Sequence, residues 1–322
     1  MKLTTLLSKL LATLAVVALP LIGHAQSANS IKIITPFTAG TGYDTIARTV
    51  GTRLAEKLGT PVIVQNIPGA SGNIGTEAAA KAPADGTSIL MGGNTMLIAS
   101  QLYKNVPFHP LRDFSPLTLA ATGTLMLVAH PKVNVKSVQE LLQLSKAKPG
   151  SVTFGSPGVG TPHHMAMELF KLETKTFMLH VPYRGTAGYT QDLLAGELMI
   201  GFLPVHVAQG FVKTGRLVAL GVGSLQRHPV APDVPTFAEQ GYKNIDVDLW
   251  YAFFVPAKTP APIAARLSTE LAAIIREPAV KEILNKGGLD ARATTPDELG
   301  AMSQRDYQRW GTVIQAKNIV GD

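Results

Sequence analysis

Cysteine is absent from the 322-residue chain, which excludes disulfides, thiolate metal sites and a lipid carried on a cysteine behind an export signal. Charge is thin as well: Asp, Glu, Lys and Arg make up 16% of the residues, against about a quarter in an ordinary domain. The aromatic residues, 6% of the chain, do not interleave with basic clusters, so the stacking-plus-phosphate pattern of a nucleic-acid binder is missing. Past the N-terminus no apolar run approaches the roughly 20 residues of a membrane-spanning helix. The eight histidines have no zinc-type spacing, and no calcium loop occurs. Neither metal nor cofactor is expected. A nucleophile elbow needs glycine two positions before its serine, and Phe154 stands there before Ser156. The glycines at Gly158 and Gly160 lack the third of a dinucleotide fingerprint, and no Gly-Lys-Ser or Gly-Lys-Thr is found. The chain therefore does not read as an enzyme, and an exported hydrolase is kept only as a remote alternative.

What is present begins with an export signal. Lys2 and Lys9 precede or open an apolar run over residues 10–22, which ends in the small-residue stretch Gly23-His24-Ala25. Cleavage after Ala25 would leave 297 of the 322 residues, room for two lobes. The expected location is the periplasm, without lipid, as a freely diffusing monomer. The formal charge of +7 falls to +5 once Lys2 and Lys9 are lost, a modest field that favours the approach of a small anion.

Strand-like and helix-like runs alternate along the chain, the pattern of an α/β fold. Strands are expected over residues 31–35, 61–65, 88–92, 125–129, 152–154, 178–181, 198–202 and 217–222, and helices over 43–58, 73–81, 137–148, 162–172, 187–195, 260–275 and 296–314, with a further helix ending near Thr214. Proline and turn residues thicken over 105–116 and 228–235 and bracket a central segment. The expectation is an α/β chain of two lobes on a hinge. Residues 31–124 with 225–322 form one lobe and 125–224 the other, each a mostly parallel sheet with flanking helices, joined by crossover strands.

Two loops carry the functional reading. Gly155-Ser156-Pro157-Gly158-Val159-Gly160-Thr161-Pro162 follows a short strand and opens a helix, with Thr161 as N-cap and Pro162 as first helical residue. Pro36-Phe37-Thr38-Ala39-Gly40-Thr41-Gly42 stands likewise between a strand and a helix. The free N–H groups at a helix start, with the positive dipole end, hold a carboxylate or phosphate without lysine or arginine. Together the loops suggest a pincer for an anion. A third strand-end motif, His180-Val181-Pro182-Tyr183-Arg184-Gly185, brings a phenol and a guanidinium.

Taken in order, these motifs resemble a known family. Pro36-Phe37 with Gly40, Asp44 and Arg48, then Asn66-Ile67-Pro68-Gly69-Ala70-Ser71-Gly72-Asn73-Ile74-Gly75, Pro83-Ala84-Asp85-Gly86, Gly158 to His164 with Glu168 and Phe170, the His180 motif, Pro232-Asp233-Val234-Pro235-Thr236, and Trp250 with Pro256 and Pro260 are similar to the Bug-type periplasmic solute-binding proteins of the tripartite tricarboxylate transporter class. The resemblance implies a protein that closes on a small carboxylate and delivers it to an inner-membrane permease, with one carboxylate held by amides and waters from the two loops. A binding protein reporting to a membrane sensor kinase is the alternative.

The expected ligand contacts are Phe37, Ala39, Gly40, Thr41, Asp44, Ser156, Gly158, Gly160, Thr161, His164, Tyr183 and Phe202. Ala39-Gly40-Thr41 departs from the family's usual Pro-Gly-Gly, placing a hydroxyl at the cradle. Phe202-Leu203-Pro204 stands where an amino-acid binder would carry Asp or Asn, which favours an aromatic or aliphatic di- or tricarboxylate over an amino acid. Asp44 at its helix start reads first as a cap. Adjacent His163 and His164 point about 100° apart on a helix, so at most one faces a site.

Overall fold

The computed structural model describes residues 30–183 and 185–321. The expected export signal and Arg184 lie outside the described residues. Two mixed sheets share one strand. In the first, β1 (Ile31–Thr35) lies between β2 (Val62–Asn66) and β3 (Ser88–Gly93), all parallel. The antiparallel strand β9 (Asp248–Pro256) then separates β3 from β4 (Phe114–Ala129). In the second, β6 (Leu179–Pro182), β5 (Thr153–Ser156) and β7 (Ile200–Pro204) are parallel. The far half of β4 runs antiparallel to both β7 and β8 (Val218–Val222). A short β10 (Asp290–Ala291) pairs with β4 at Thr122 and Ala121.

The 16-residue β4 is the spine. It pairs with β9 from Phe114 to Thr124 and with β7 from Leu125 to Ala129, so it leaves one sheet and enters the other in mid-strand. The return passes Gly223, whose N–H donates to Leu125 O at 2.8 Å while its carbonyl accepts from Val247 N at 3.2 Å, immediately before β9. The proline-thickened segments 105–116 and 228–235 are thus not the crossings themselves. A crossing inside a strand keeps its backbone groups paired, and Pro116 is accommodated at a register shift of the β4–β9 ladder.

Every residue of β3 is buried and all but the first of β9, as expected of strands covered by helices on both faces. The helices are α1 (Gly42–Leu58), α2 (Asn73–Ala80), α3 (Asn94–Leu102), α4 (Val138–Ala147), α5 (Pro162–Thr174), α6 (Thr186–Ala195), α7 (Val205–Lys213), α8 (Ala261–Arg276), α9 (Pro278–Lys286) and α10 (Pro296–Lys317). In α8, Leu267, Leu271, Ile274 and Ile275 form the buried stripe of an amphipathic helix. Thr295 and Glu298 close a capping box that starts α10. Of the three C-terminal helices, α8 packs against α1 and β4, and α10 against α3 and β4, both on the first sheet's lobe. No helix among the described residues is long and apolar enough to cross a membrane.

Candidate functional site

The cleft between the sheets contains two adjoining cavities. The inner one, about 100 Å³, is lined from one lobe by Phe37, Tyr43, Thr95 and Tyr251, and from the other by Thr161, His163 and His206. The outer one, about 680 Å³, is lined by the turn 68–72 and Tyr103 on one side and by Gly158, Val159, Tyr183 and Thr186 on the other. Phe37, Thr41, Pro157 and Thr186 belong to both walls. No lysine, arginine, aspartate or glutamate is found among the described lining residues of either cavity.

What the inner cavity has in place of charge is helix ends. Gly42 and Tyr43 of α1, Thr95 of α3, Pro162 and His163 of α5, Thr186 of α6, and His206 and Val207 of α7 all reach its wall. These are five first turns, and only α5 has a side-chain cap, Thr161, which accepts from His164 N. The first intrahelical bond of α1 runs from Thr45 N to Thr41 O. The amides before it are the groups that a helix leaves without internal partners. Each uncapped end also presents the positive end of its dipole.

The two glycine loops differ. In loop 36–42, Thr41 spends its hydroxyl on Thr38 O at 3.0 Å and leaves its helix end uncapped. Among the described residues only Gly40 N is taken, by Asp44 Oδ2 at 3.0 Å. In loop 156–161 the amides are largely engaged already. Gly158 N donates to Ser156 Oγ at 3.2 Å and Gly160 N to His164 Nδ1 at 3.2 Å. Thr161 N donates to Gly158 O at 3.3 Å, and Thr161 Oγ1 donates to the same carbonyl at 2.7 Å. Pro162 has no N–H. The second loop is therefore braced from behind by its own side chains.

Of the expected contacts, Phe37, Gly40, Thr41 and Thr161 line the inner cavity, and Gly158 and Tyr183 line the outer one with Phe37 and Thr41. The others are placed elsewhere. Ala39 is exposed at the loop tip. Asp44 is buried and accepts from Gly40 N, Arg48 Nε and Asn66 Nδ2. Burial pushes its pKa up, but these donors and the Arg48 charge outweigh it and hold the carboxyl below its ordinary value. It fixes the loop. Gly160, at φ 78°, faces Leu102 of α3, whose Cδ1 would lie 2.6 Å from a Cβ. Phe202 is fully buried and packs edge-on against Phe237 with centroids 5.8 Å apart.

Ser156 and His164 belong to a buried cluster behind the second loop. Ser156 Oγ lies 2.7 Å from His180 Nε2, a serine–histidine contact that matches a nucleophile and its base in distance alone. The serine is fully buried, and its oxygen also lies 3.0 Å from Gly158 O, which its hydroxyl can serve. The His180 ring stacks on His164 at 4.2 Å and on Phe154 at 4.7 Å. Burial, then the neighbouring His164, push His180 down to about 3. Glu168 lies 3.5 Å from His164 Nε2 and 2.5 Å from Lys171 Nζ. Burial would raise its pKa, but these partners hold it at about 2. Through Ser156 and His164 the cluster holds two amides of the loop's backbone.

Several wall residues were not anticipated. His163, not His164, lines the cavity; it is 8% exposed, both ring nitrogens lack partners among the described residues, and burial pushes its pKa down to about 3. His206, lowered to about 4 by burial and by His228, completes the far wall. Tyr43 stands between Phe37 and Tyr251, with centroids 4.6 and 4.8 Å away, and its hydroxyl is 3.3 Å from Thr95 Oγ1. Desolvation pushes Tyr43 up to about 12, so it stays a neutral donor. One available signal was position: Thr186 and His206 open helices directly after strand ends. Tyr251 and Leu249 lie on β9, an apolar run that gives no such signal.

The sequence profile described as the tripartite tricarboxylate transporter family receptor matches residues 46–319. A Pseudomonas sp. (strain P51) protein described as the UPF0065 protein in the tcbD–tcbE intergenic region is 35% identical, over 88% of this chain and 85% of its own length. The protein BugT of Bordetella pertussis is 32% identical over 93% of this chain and 92% of its own. Two solved structures from Rhodopseudomonas palustris superpose closely. Rpa4515 with adipate has a TM-score of 0.85 at 27% identity, covering 91% of this chain and 98% of that one. MatC with bound malate has 0.83 at 26%, covering 88% and 98%.

Proposed function

The chain belongs to the tripartite tricarboxylate transporter family of receptors, and on that premise we propose that it is a periplasmic binding protein that closes on a small carboxylate and hands it to a permease of the same transporter type. The observation that carries this reading is the convergence of five helix N-termini, four without side-chain caps, on an inner cavity whose described wall has no acidic side chain. Anions are favoured at such ends. A micromolar complex requires a net free energy of about −8 kcal/mol. Charge-assisted hydrogen bonds contribute roughly 1.5–3 kcal/mol each, so four or so around one carboxylate supply that in gross terms before ordering costs.

The absence of an acidic group from the described wall argues against a ligand ammonium, which would be left without a charged partner. Phe202 is fully buried and lines neither cavity, so it is the whole wall that disfavours an amine. Phe37, Tyr43, Tyr251 and Leu249 favour an aromatic or aliphatic body behind the carboxylate. The closing units are residues 31–124 with 225–322 and residues 125–224, and the working form is a monomer. Adipate and malate, bound by the two relatives of similar fold, are the natural first probes.

The test is the melting shift of refolded, ligand-stripped mature chain against aliphatic, hydroxylated and aromatic mono-, di- and tricarboxylates, with amino acids as the contrast. Ligand at about 100 times its dissociation constant adds roughly 2.7 kcal/mol, which at this length raises Tm by about 5–10 °C. A shift confined to carboxylates without an amine is the expected outcome. Shifts with amino acids alone would overturn the reading.

A further inference from the structure

The wall of the outer cavity is bridged from lobe to lobe by side chains that do not reach the inner cavity. Ser71 Oγ donates to Val159 O at 2.7 Å, and Tyr103 OH lies 3.3 Å from the same carbonyl and 3.3 Å from Ser71 Oγ. Ser71 and Tyr103 belong to the β1–β3 lobe, whereas Val159 is in the loop between β5 and α5 of the other lobe. The three residues are each half-buried at the cavity wall.

The backbone that delivers Ser71 is unusual. Gly69, Ala70, Ser71 and Gly72 have φ of 135°, 45°, 52° and 91°, four consecutive positive values. The left-handed region is unfavourable for L residues because Cβ crowds the carbonyl, so Ala70 and Ser71 are strained. Such strain persists only where surroundings over-determine it. Here Ile74 Cδ1 sits 2.6 Å from where a Gly69 Cβ would be, and the Phe37 ring is 3.2 Å from that of Gly72. The turn is thus pressed onto the same Phe37 that lines both cavities. Across the cleft, a Cβ on Gly158 would come within 2.9 Å of Ser71 Oγ, so the opposing loop is bare where the serine arrives. Strain on one side, a bare approach on the other and two hydroxyls on one carbonyl describe a contact that exists only while the lobes touch.

We propose that Ser71 and Tyr103 form a latch on the Val159 carbonyl that holds the cleft shut: they are positioning residues, acting on closure rather than on the ligand. The latch rests on the closing-receptor reading above but is separable from it. Breaking it frees the lobes to part and speeds ligand escape, while the helix ends around the inner cavity, where Ser71 and Tyr103 do not reach, stay as they are.

The test exploits the lack of native cysteine. Lys81→Cys on one lobe and Lys146→Cys on the other, both exposed positions, take spin labels for distance measurement by pulsed electron paramagnetic resonance on the full mature chain. The parent is expected to show a short, closed component without added ligand. Ser71→Ala and Tyr103→Phe should each lower the closed-to-open ratio by about fivefold, the loss expected for one hydrogen bond. Ser71→Gly separates latch from scaffold: it relieves the left-handed strain and should raise Tm while still opening the cleft. Tyr103→Phe, which removes a single oxygen, keeps the test readable should either Ser71 variant fold poorly. Superimposable distributions in parent and variants, or a parent with no closed component, would overturn the latch. Adipate serves as the probe for the receptor reading: binding by parent and variants with unchanged distances sinks the latch alone, and a distance shift in the variants without adipate binding leaves the latch standing while the choice of ligand fails.

Discussion

Loops 36–42 and 156–161 have the same sequence grammar, a strand end, small residues and a helix start, yet the fold uses them in opposite ways. The first leaves the α1 end uncapped at the cavity wall. The second turns its amides inward, onto Ser156, His164 and Gly158 O. Glycine richness shows that a backbone can be approached; which side chains wait behind it decides whether its N–H groups are available. On the proposed carboxylate reading, the first loop is the one that grips and the second is the braced wall opposite it.

The sharpest way to break this contrast is at α1. A Cβ on Gly42 would lie 2.9 Å from the Tyr251 ring, so Gly42→Val should displace that ring from the inner cavity and weaken carboxylate binding by about 100-fold or more, with overpacking costing on the order of 1–3 kcal/mol of stability. Calorimetry against the ligand found by the melting screen reads the first and chemical denaturation the second. The opposite pattern is expected behind the second loop. Ser156→Ala leaves Gly158 N and His180 Nε2 without their partner, so stability should fall by about 1–3 kcal/mol while affinity for the ligand changes less than about tenfold. If Ser156→Ala lost binding at full stability, the wall would have to be reclassified as part of the grip.

A smaller effect sharpens the comparison through pH. His163 has its pKa lowered to about 3 by burial, against an ordinary 6.5 in the unfolded chain. The unfolded chain therefore binds the extra proton between these values, and the stability tied to the neutral ring is full above pH 6.5 and is lost as pH falls toward 3. Between pH 6.5 and 4 that amounts to about 3 kcal/mol at most. His163→Leu, which also removes two buried nitrogens without partners among the described residues, should lessen the acid slope of Tm over this interval, the share due to His180 and His206 remaining; an unchanged slope would show that the His163 imidazole is not among the titrating groups.

Much of the architecture could be read from alternation alone because helix starts were chemically marked: Pro162 after Thr161, Pro296 after Thr295, and Pro260 before α8. Two of the misses share a cause. Helix α3 buries Asn94, Thr95, Met96, Leu97, Ile98 and Ala99 in succession, so it shows no amphipathic period. Strand β9 is likewise apolar throughout its buried length. The opening half of β4 was hidden by Pro116, which punctuates a loop elsewhere but here sits at a register shift. In the site, loops and helix starts were legible, whereas the choice of His163 over His164 depended on helix rotation. The hydrogen bonds that occupy Gly158 and Gly160 depend on Ser156 and His164, which belong to the same loop and helix start but point back into the protein rather than out into the cleft.

The sharing of β4 between both sheets has a mechanical meaning. Because Thr124 still pairs with Asp248 while Leu125 already pairs with Pro204, there is no slack tether between the halves, and neither can swing without twisting one continuous ladder. In the proposed closing receptor, that shared strand is a torsion bar with a jaw on either end: softening it at residues 124 and 125 would change how readily the jaws part, alongside any latch at the cleft, without touching the residues of the cavity wall.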